Sequence, residues 1–278
     1  MTREHERQTS LTSKLDGQVA WITGAGRGIG RATAFALARR GARVAVTART
    51  RSEVENVAHE LPGQSKAESF VCDVSDWQSV TETSKAISST LGIPEILVNN
   101  AGMIGPLGKS WESPPHEWLE TIAINLVGAY HCARAVLPGM ISRGRGFIVN
   151  VSSVAATLSL SNWTAYAASK AGLDSYTRSL ASELKNTGVQ VFAIYPGVVK
   201  TAMVERLLAA GPQELPARRR QYFEQLASEG SLFDPEQVGR TIAWLVSGAG
   251  IELNGSVLDF QKETALLEQA TRELDQLK

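Results

Sequence analysis

The sequence predicts an α/β fold in a single domain, a doubly wound parallel sheet flanked by helices. Short β-branched runs alternate along the chain with longer stretches of helical periodicity, the pattern of strand–helix–strand units. The runs are apolar throughout rather than alternating, as strands covered on both faces are. No repeat, low-complexity tract or Pro/Ser-rich linker marks a second domain.

Taken in order, Val19-Ala20-Trp21-Ile22-Thr23 is the first strand and runs into a glycine-rich turn, with a helix over 28–40 stopping before Gly41. A strand over 44–47 precedes a helix over 52–60, and a short strand over 70–71 precedes a helix over 77–91 that stops before Gly92. Glycine past a helix end supplies the left-handed residue that terminates it. Ile96-Leu97-Val98 is the fourth strand, and 115–140 a long apolar helix. Strands over 147–151 and 191–194 bracket a helix over 164–186 that ends near Gly188, and a helix over 235–247 follows. Right-handed crossovers between parallel strands put the ligand crevice at the carboxyl ends of the strands. Functional residues are expected there.

Composition narrows the class. At 278 residues the chain is long enough to bury a sizeable core. Hydrophobic residues make up 43% and charged residues 20%, a balance that favours neither a disordered chain nor a fibre. The 28 basic residues equal the 28 acidic ones, so nothing draws the chain globally to nucleic acid or an anionic membrane. No apolar run approaches the ~18 residues needed to span a bilayer. Residues 1–14 are polar, lack a signal-peptide core and read as a flexible tail. Cys72 and Cys132 show no metal or redox spacing and fit a reducing cytoplasm. His5, His59, His116 and His131 have no companions at ligand spacing, so no metal is expected.

The first strand runs into Thr23-Gly24-Ala25-Gly26-Arg27-Gly28-Ile29-Gly30 and then directly into a helix. Glycines let the backbone turn tightly and approach a pyrophosphate, while the open N–H groups of the helix supply positive charge. The generic Gly-x-Gly-x-x-Gly fingerprint is absent, because Ile29 or Arg31 stands where its last glycine would be. The spacing that is present, Thr23-Gly24-x3-Gly28-x-Gly30, is similar to the cofactor loop of the short-chain dehydrogenases/reductases, which implies a Rossmann-like sheet and a nicotinamide cofactor.

The second strand ends Val46-Thr47-Ala48-Arg49. An acid at this strand end would accept from the adenosine ribose 2′-hydroxyl and repel a 2′-phosphate. Ala48 takes the place where NAD-dependent members of the family carry Asp, and Arg49 follows. Arg49 and Arg27 suit charge-assisted hydrogen bonds to a 2′-phosphate. NADPH/NADP+ is therefore the expected cofactor, with NADH the weaker alternative. By the same resemblance Asp73, in Cys72-Asp73-Val74, contacts adenine, although a lone Asp there can equally cap a helix. Asn99-Asn100-Ala101-Gly102 resembles the family segment that lies along the cofactor and steadies the central sheet.

Tyr166 and Lys170 lie four residues apart in a helical pattern and so project from one face. A free phenol has a pKa near 10, and a nearby ammonium favours the phenolate. Lowering the phenol by about three units corresponds to roughly 4 kcal/mol of differential interaction, which Lys170 and a cationic nicotinamide can share. Ser153 ends the fifth strand, thirteen residues before Tyr166, with Ser152 as its neighbour; the family's Ser-to-Tyr spacing selects Ser153 to hydrogen-bond the substrate oxygen. Asn125 interrupts an apolar helix and needs a buried partner. The resemblance implies that it holds a water linking Lys170 to solvent. Asn125, Ser153, Tyr166 and Lys170 thus match the family's four catalytic positions. Tyr195-Pro196-Gly197-Val198-Val199-Lys200-Thr201 resembles the segment over the nicotinamide, with Thr201 on the carboxamide.

The resemblance covers about residues 17–260 and implies hydride exchange between nicotinamide C4 and a ketone or 3-oxo-type carbonyl, with Tyr166 as acid/base and Lys170 also orienting the ribose. It departs at Val257-Leu258-Asp259-Phe260, where no glycine pair follows. Residues 199–233 are expected to form a substrate lid, since Met203, Leu207, Leu208, Tyr222, Phe223 and Leu226 offer apolar surface to a partly apolar substrate. Arg218-Arg219-Arg220 meets an acidic substrate group or forms a solvated helix face. Residues 263–277 carry an apolar stripe of Leu266, Leu267, Ala270, Leu274 and Leu277, a helix that docks on its own subunit or across an interface. The family's habit implies a homodimer or homotetramer. A catalytically silent NADPH-binding regulator and a sugar-nucleotide epimerase are the competing functions.

Overall fold

A computed structural model describes residues 15–62, 66–249 and 251–275. The expected polar tail, 1–14, lies outside them. Seven parallel strands form one sheet: β1 (Val19–Thr23), β2 (Arg43–Ala48), β3 (Ala67–Val71), β4 (Ile96–Asn99), β5 (Gly146–Val151), β6 (Val189–Tyr195) and β7 (Val257–Asp259). Their order is β3-β2-β1-β4-β5-β6-β7, so the winding reverses between β1 and β4 and opens a crevice there. This is the Rossmann-like sheet that the sequence predicts. β3 begins three residues earlier than expected, because Ala67, Glu68 and Ser69 pair with Val44, Ala45 and Val46 of β2. The departing segment 257–260 still contributes β7, which pairs with β6 through Leu258 and Ile194.

Every residue of β1 and β4 is buried, because helices cover both faces of the sheet. On one face α1 (Gly28–Ala38) and α9 (Pro235–Trp244) pack Leu37, Val238 and Ile242 against Ile22, Val46 and Val98. On the other, α3 (Trp77–Thr90), α5 (Gly128–Arg143) and α6 (Thr164–Glu183) pack Ile87, Val136 and Leu180 against Trp21, Leu97 and Ile148. α2 (Arg51–Glu60) flanks β2 and β3. Capping fixes two starts: Asp76 accepts from the Gln78 and Ser79 amides at α3, and Asp234 accepts from the Glu236 amide ahead of α9, whose first residue is Pro235.

Three segments refine the sequence reading. The helix expected over 115–140 is α4 (Pro115–Ile122), a five-residue π-helical turn at Ala123–Val127, then α5; such turns are frequent at functional sites, and this one carries Asn125. The stretch 199–233 holds two helices, α7 (Ala202–Ala209) and α8 (Ala217–Ser228). Its ends are tied together, with the Phe233 amide donating to Val198 and the Lys200 amide to Phe233. Finally α10 (Thr264–Asp275) seats Leu267 and Ala270 in the core beside α9, so these two members of its apolar stripe are buried within their own chain. Leu277 lies outside the described residues.

Candidate active site

A cavity of about 560 Å³ opens along the carboxyl ends of the strands. Residues just beyond β1 (Gly24), β2 (Arg49), β3 (Asp73), β4 (Asn100), β5 (Ser153) and β6 (Pro196) all line it. Gly24, Arg27, Gly28, Ile29, Arg49, Asp73, Val74, Asn100, Ala101, Gly102, Ser153, Tyr166, Lys170, Pro196, Gly197, Val199 and Thr201 are brought together on its walls. Gly30 and Asn125 stand behind the lining.

At one end, the loop after β1 is pinned to β4. The Asn100 side chain donates to the carbonyls of Thr23 at 2.9 Å and Gly24 at 3.0 Å, while the Thr23 hydroxyl accepts from the Asn100 and Ala101 amides. Asn100 therefore holds the loop with its amide and meets the cavity with its flank. Gly24 has a φ of +61°, and a Cβ there would stand 2.9 Å from Ala101 Cα. A Cβ on Gly30 would stand 2.4 Å from the Gly24 carbonyl oxygen, which is why that glycine serves from behind. No side chain caps α1 and its first turn has no acidic residue, so its first N–H groups are open to an anion.

Arg27 and Arg49 flank this end, both well exposed. Arg27 lies 3.5 Å from Glu53 and Arg49 3.7 Å from Glu120. Glu53, in the first turn of α2, also lines the cavity; sequence reasoning misses it because its partner Arg27 stands on a different loop and no local spacing links the two. Asp73 accepts from the Ser75 amide and hydroxyl through one oxygen.

At the other end, Tyr166 and Lys170 lie on α6, both buried. The Lys170 ammonium donates to the Val151 carbonyl at 2.8 Å and sits 5.7 Å from the centre of the Tyr166 ring. Burial lowers the Lys170 pKa to about 8, opposed by the Asp174 carboxylate one turn on. That carboxylate accepts from the Tyr195 hydroxyl. Burial raises the Tyr166 pKa, and a hydrogen bond with Ser153 opposes it. Burial is thus the larger influence on the phenol, and Lys170 commits a donor to Val151.

The two serines diverge. Ser152 is buried, its amide bonded to Ile194 and its hydroxyl directed at the Lys170 carbonyl at 3.4 Å. Ser153 faces Tyr166 and accepts from the Ala155 amide. The buried partner expected for Asn125 is protein: its side chain exchanges hydrogen bonds of 2.8 Å with both backbone groups of Met103 and donates to Ser169 at 2.9 Å. Gly102 fits between Asn125 and Lys170. Thr201 sits over the glycine loop, its methyl 3.1 Å from where a Gly28 Cβ would be.

Comparison with known proteins gives the family. The short chain dehydrogenase family model matches residues 18–211. D-threitol dehydrogenase of Mycolicibacterium smegmatis is 36% identical over 259 residues, 93% of this chain and 96% of that protein. The 3-oxoacyl-[acyl-carrier-protein] reductase of Pseudomonas aeruginosa is 35% identical over 251 residues, 87% of this chain and 98% of that one. Among solved structures, a single-substitution variant of actinorhodin polyketide ketoreductase with NADPH superposes with a TM-score of 0.80 at 30% identity, covering 87% of this chain and 95% of that one. The chain belongs to the short-chain dehydrogenase/reductase family, oxidoreductases that work with nicotinamide cofactors.

Proposed function

We propose that this protein is an NADPH-dependent carbonyl reductase, equally a secondary alcohol dehydrogenase in reverse. The observation that carries the reading is the placement of Ser153, Tyr166 and Lys170 on one wall of a cavity whose far end is the uncapped start of α1.

The residues present fit the cofactor. The close backbone approach at Gly24 and the open N–H groups of α1 suit a pyrophosphate, with Gly28 and Ile29 beneath it. Asp73 and Val74 suit the adenine, and Ala101, Gly102, Pro196, Gly197, Val199 and Thr201 the nicotinamide half. Arg27 and Arg49 suit a 2′-phosphate. Both arginines are exposed, with Glu53 half-buried and Glu120 exposed, and such ion pairs are worth ~1 kcal/mol or less, so a phosphate displaces the carboxylates readily. When bound, the cofactor exchanges a hydride at nicotinamide C4.

The chain's own residues handle the oxygen. Ser153 donates a hydrogen bond to the substrate carbonyl, and Tyr166 gives its proton to the forming alkoxide. Lys170 stabilises the phenolate left behind, and Asp174 keeps Lys170 charged. Asn125 fixes Met103 and Ser169 behind them. The segment 199–233 acts as the substrate lid. The assembly is a homodimer or homotetramer in the cytoplasm; among the described residues no helix is long and apolar enough to cross a membrane.

The test is absorbance at 340 nm with NADPH or NADH and a panel of ketones, aldehydes, keto esters and quinones. Turnover favouring NADPH supports the reading. Cofactor binding without turnover of any carbonyl favours the silent regulator instead.

A further inference from the structure

Beyond Ser153 and Tyr166 the cavity continues into a half that the reaction chemistry does not use. Its wall is apolar. Trp163 stands edge-on to Tyr166 with ring centres 6.0 Å apart, and lies parallel to Phe223 at 6.2 Å. Met203 and Leu207 of α7 continue the lining.

Two cations line the cavity beside this apolar half. Arg206 follows Met203 by three residues on α7, and Arg219 precedes Phe223 by one turn on α8, so each shares a helix face with a lining apolar side chain. Arg206 is at the exposed rim and Arg219 is half-buried. Neither guanidinium has an ion-pair or hydrogen-bond partner among the described residues. The contrast is Arg220, which donates to the Leu208 and Ala210 carbonyls and so ties α8 to the end of α7. The cavity's carboxylates are engaged elsewhere: Glu53 with Arg27, Asp73 with Ser75, and Asp259 with Lys262 at 3.2 Å.

A half-buried guanidinium beside an apolar wall gains from a counter-charge, and guanidinium is suited to bidentate capture of carboxylate or phosphate. We infer that the substrate is an anionic carbonyl compound. Its carbonyl meets Ser153 and Tyr166, an apolar body lies against Trp163 and Phe223, and a terminal carboxylate or phosphate is held by Arg206 and Arg219. This rests on the reductase reading and adds the substrate class to it. A neutral polyol fits less well, since Phe223 and Leu207 offer its hydroxyls no hydrogen bonds.

The test is steady-state kinetics of the full chain with NADPH on aryl and alkyl keto acids, their methyl esters, and keto phosphate monoesters of matched length. The anionic form should exceed the ester in kcat/KM by about ten-fold or more. That ratio should fall toward one in Arg206→Gln/Arg219→Gln and in high salt, and persist in Arg218→Gln, an exposed neighbour outside the cavity. Whichever of acid or phosphate shows the larger ratio identifies the anion. Because each variant is compared with itself, partial loss of folding does not move the ratio, and a fall of the ratio in the double variant supports the inference. Equal turnover of anion and ester by the parent protein, or a preference that survives the double variant, overturns it. If esters are reduced without preference, the reductase reading stands and only the substrate class fails; if no carbonyl is reduced, both fall.

Discussion

Lys170 holds its ammonium 5.7 Å from the centre of the Tyr166 ring while donating to the Val151 carbonyl at 2.8 Å. Asp174 lies one turn further along α6 and favours the ammonium, whereas burial drives its pKa down to about 8. The sign of the pH dependence follows. Lys170 is charged below about pH 8 and loses its proton above it, so kcat/KM should fall on that alkaline limb. Asp174→Asn removes the charge that opposes burial, and the limb should move to lower pH. A pH profile with an unmoved limb would separate Asp174 from the chemistry.

The serines give a sharper contrast. Ser153→Ala should lower kcat by ~10²-fold, the typical loss of one donor to a developing oxyanion. Ser152→Ala should cost far less, because that hydroxyl points at the Lys170 carbonyl. Equal losses in both would mean that the Ser152 side chain also reaches the substrate.

Cofactor choice is read at the other end. Arg49→Ala should reduce the NADPH-over-NADH ratio of kcat/KM by ~10-fold, the scale of one charge-assisted phosphate contact. Glu53→Gln should raise that ratio by releasing Arg27. A parent ratio below one contradicts the NADPH reading.

Much of this site was legible in the sequence because its residues sit at strand ends and fixed helical spacings. Tyr166 and Lys170 meet because residues four apart on a helix share a face, and Gly24 to Gly30 sit where β1 must turn. What depended on tertiary packing was not legible. The pairing of Arg27 with Glu53 needs the loop after β1 to meet the start of α2, and no local pattern encodes that distance. The π-helical turn at Asn125 was hidden because an apolar helical period continues through it. The balance at Tyr166 needed the burial of the phenol, which outweighs any single neighbour.

Leu267 tests the carboxyl-terminal helix. Its side chain is buried in the chain's own core, so Leu267→Ala should cost ~2–5 kcal/mol in urea unfolding. Removing 262–278 should then destabilise the protein first. A truncated protein of unchanged stability but reduced assembly mass in ultracentrifugation would give the helix an interface role instead.

The central claim is tested most directly by Tyr166→Phe, followed as NADPH oxidation with a ketone at 340 nm. The account predicts a loss of ~10²–10⁴-fold in kcat, the usual contribution of a positioned acid/base, with the fold and NADPH binding retained. Near-normal turnover by a folded Tyr166→Phe protein would contradict it.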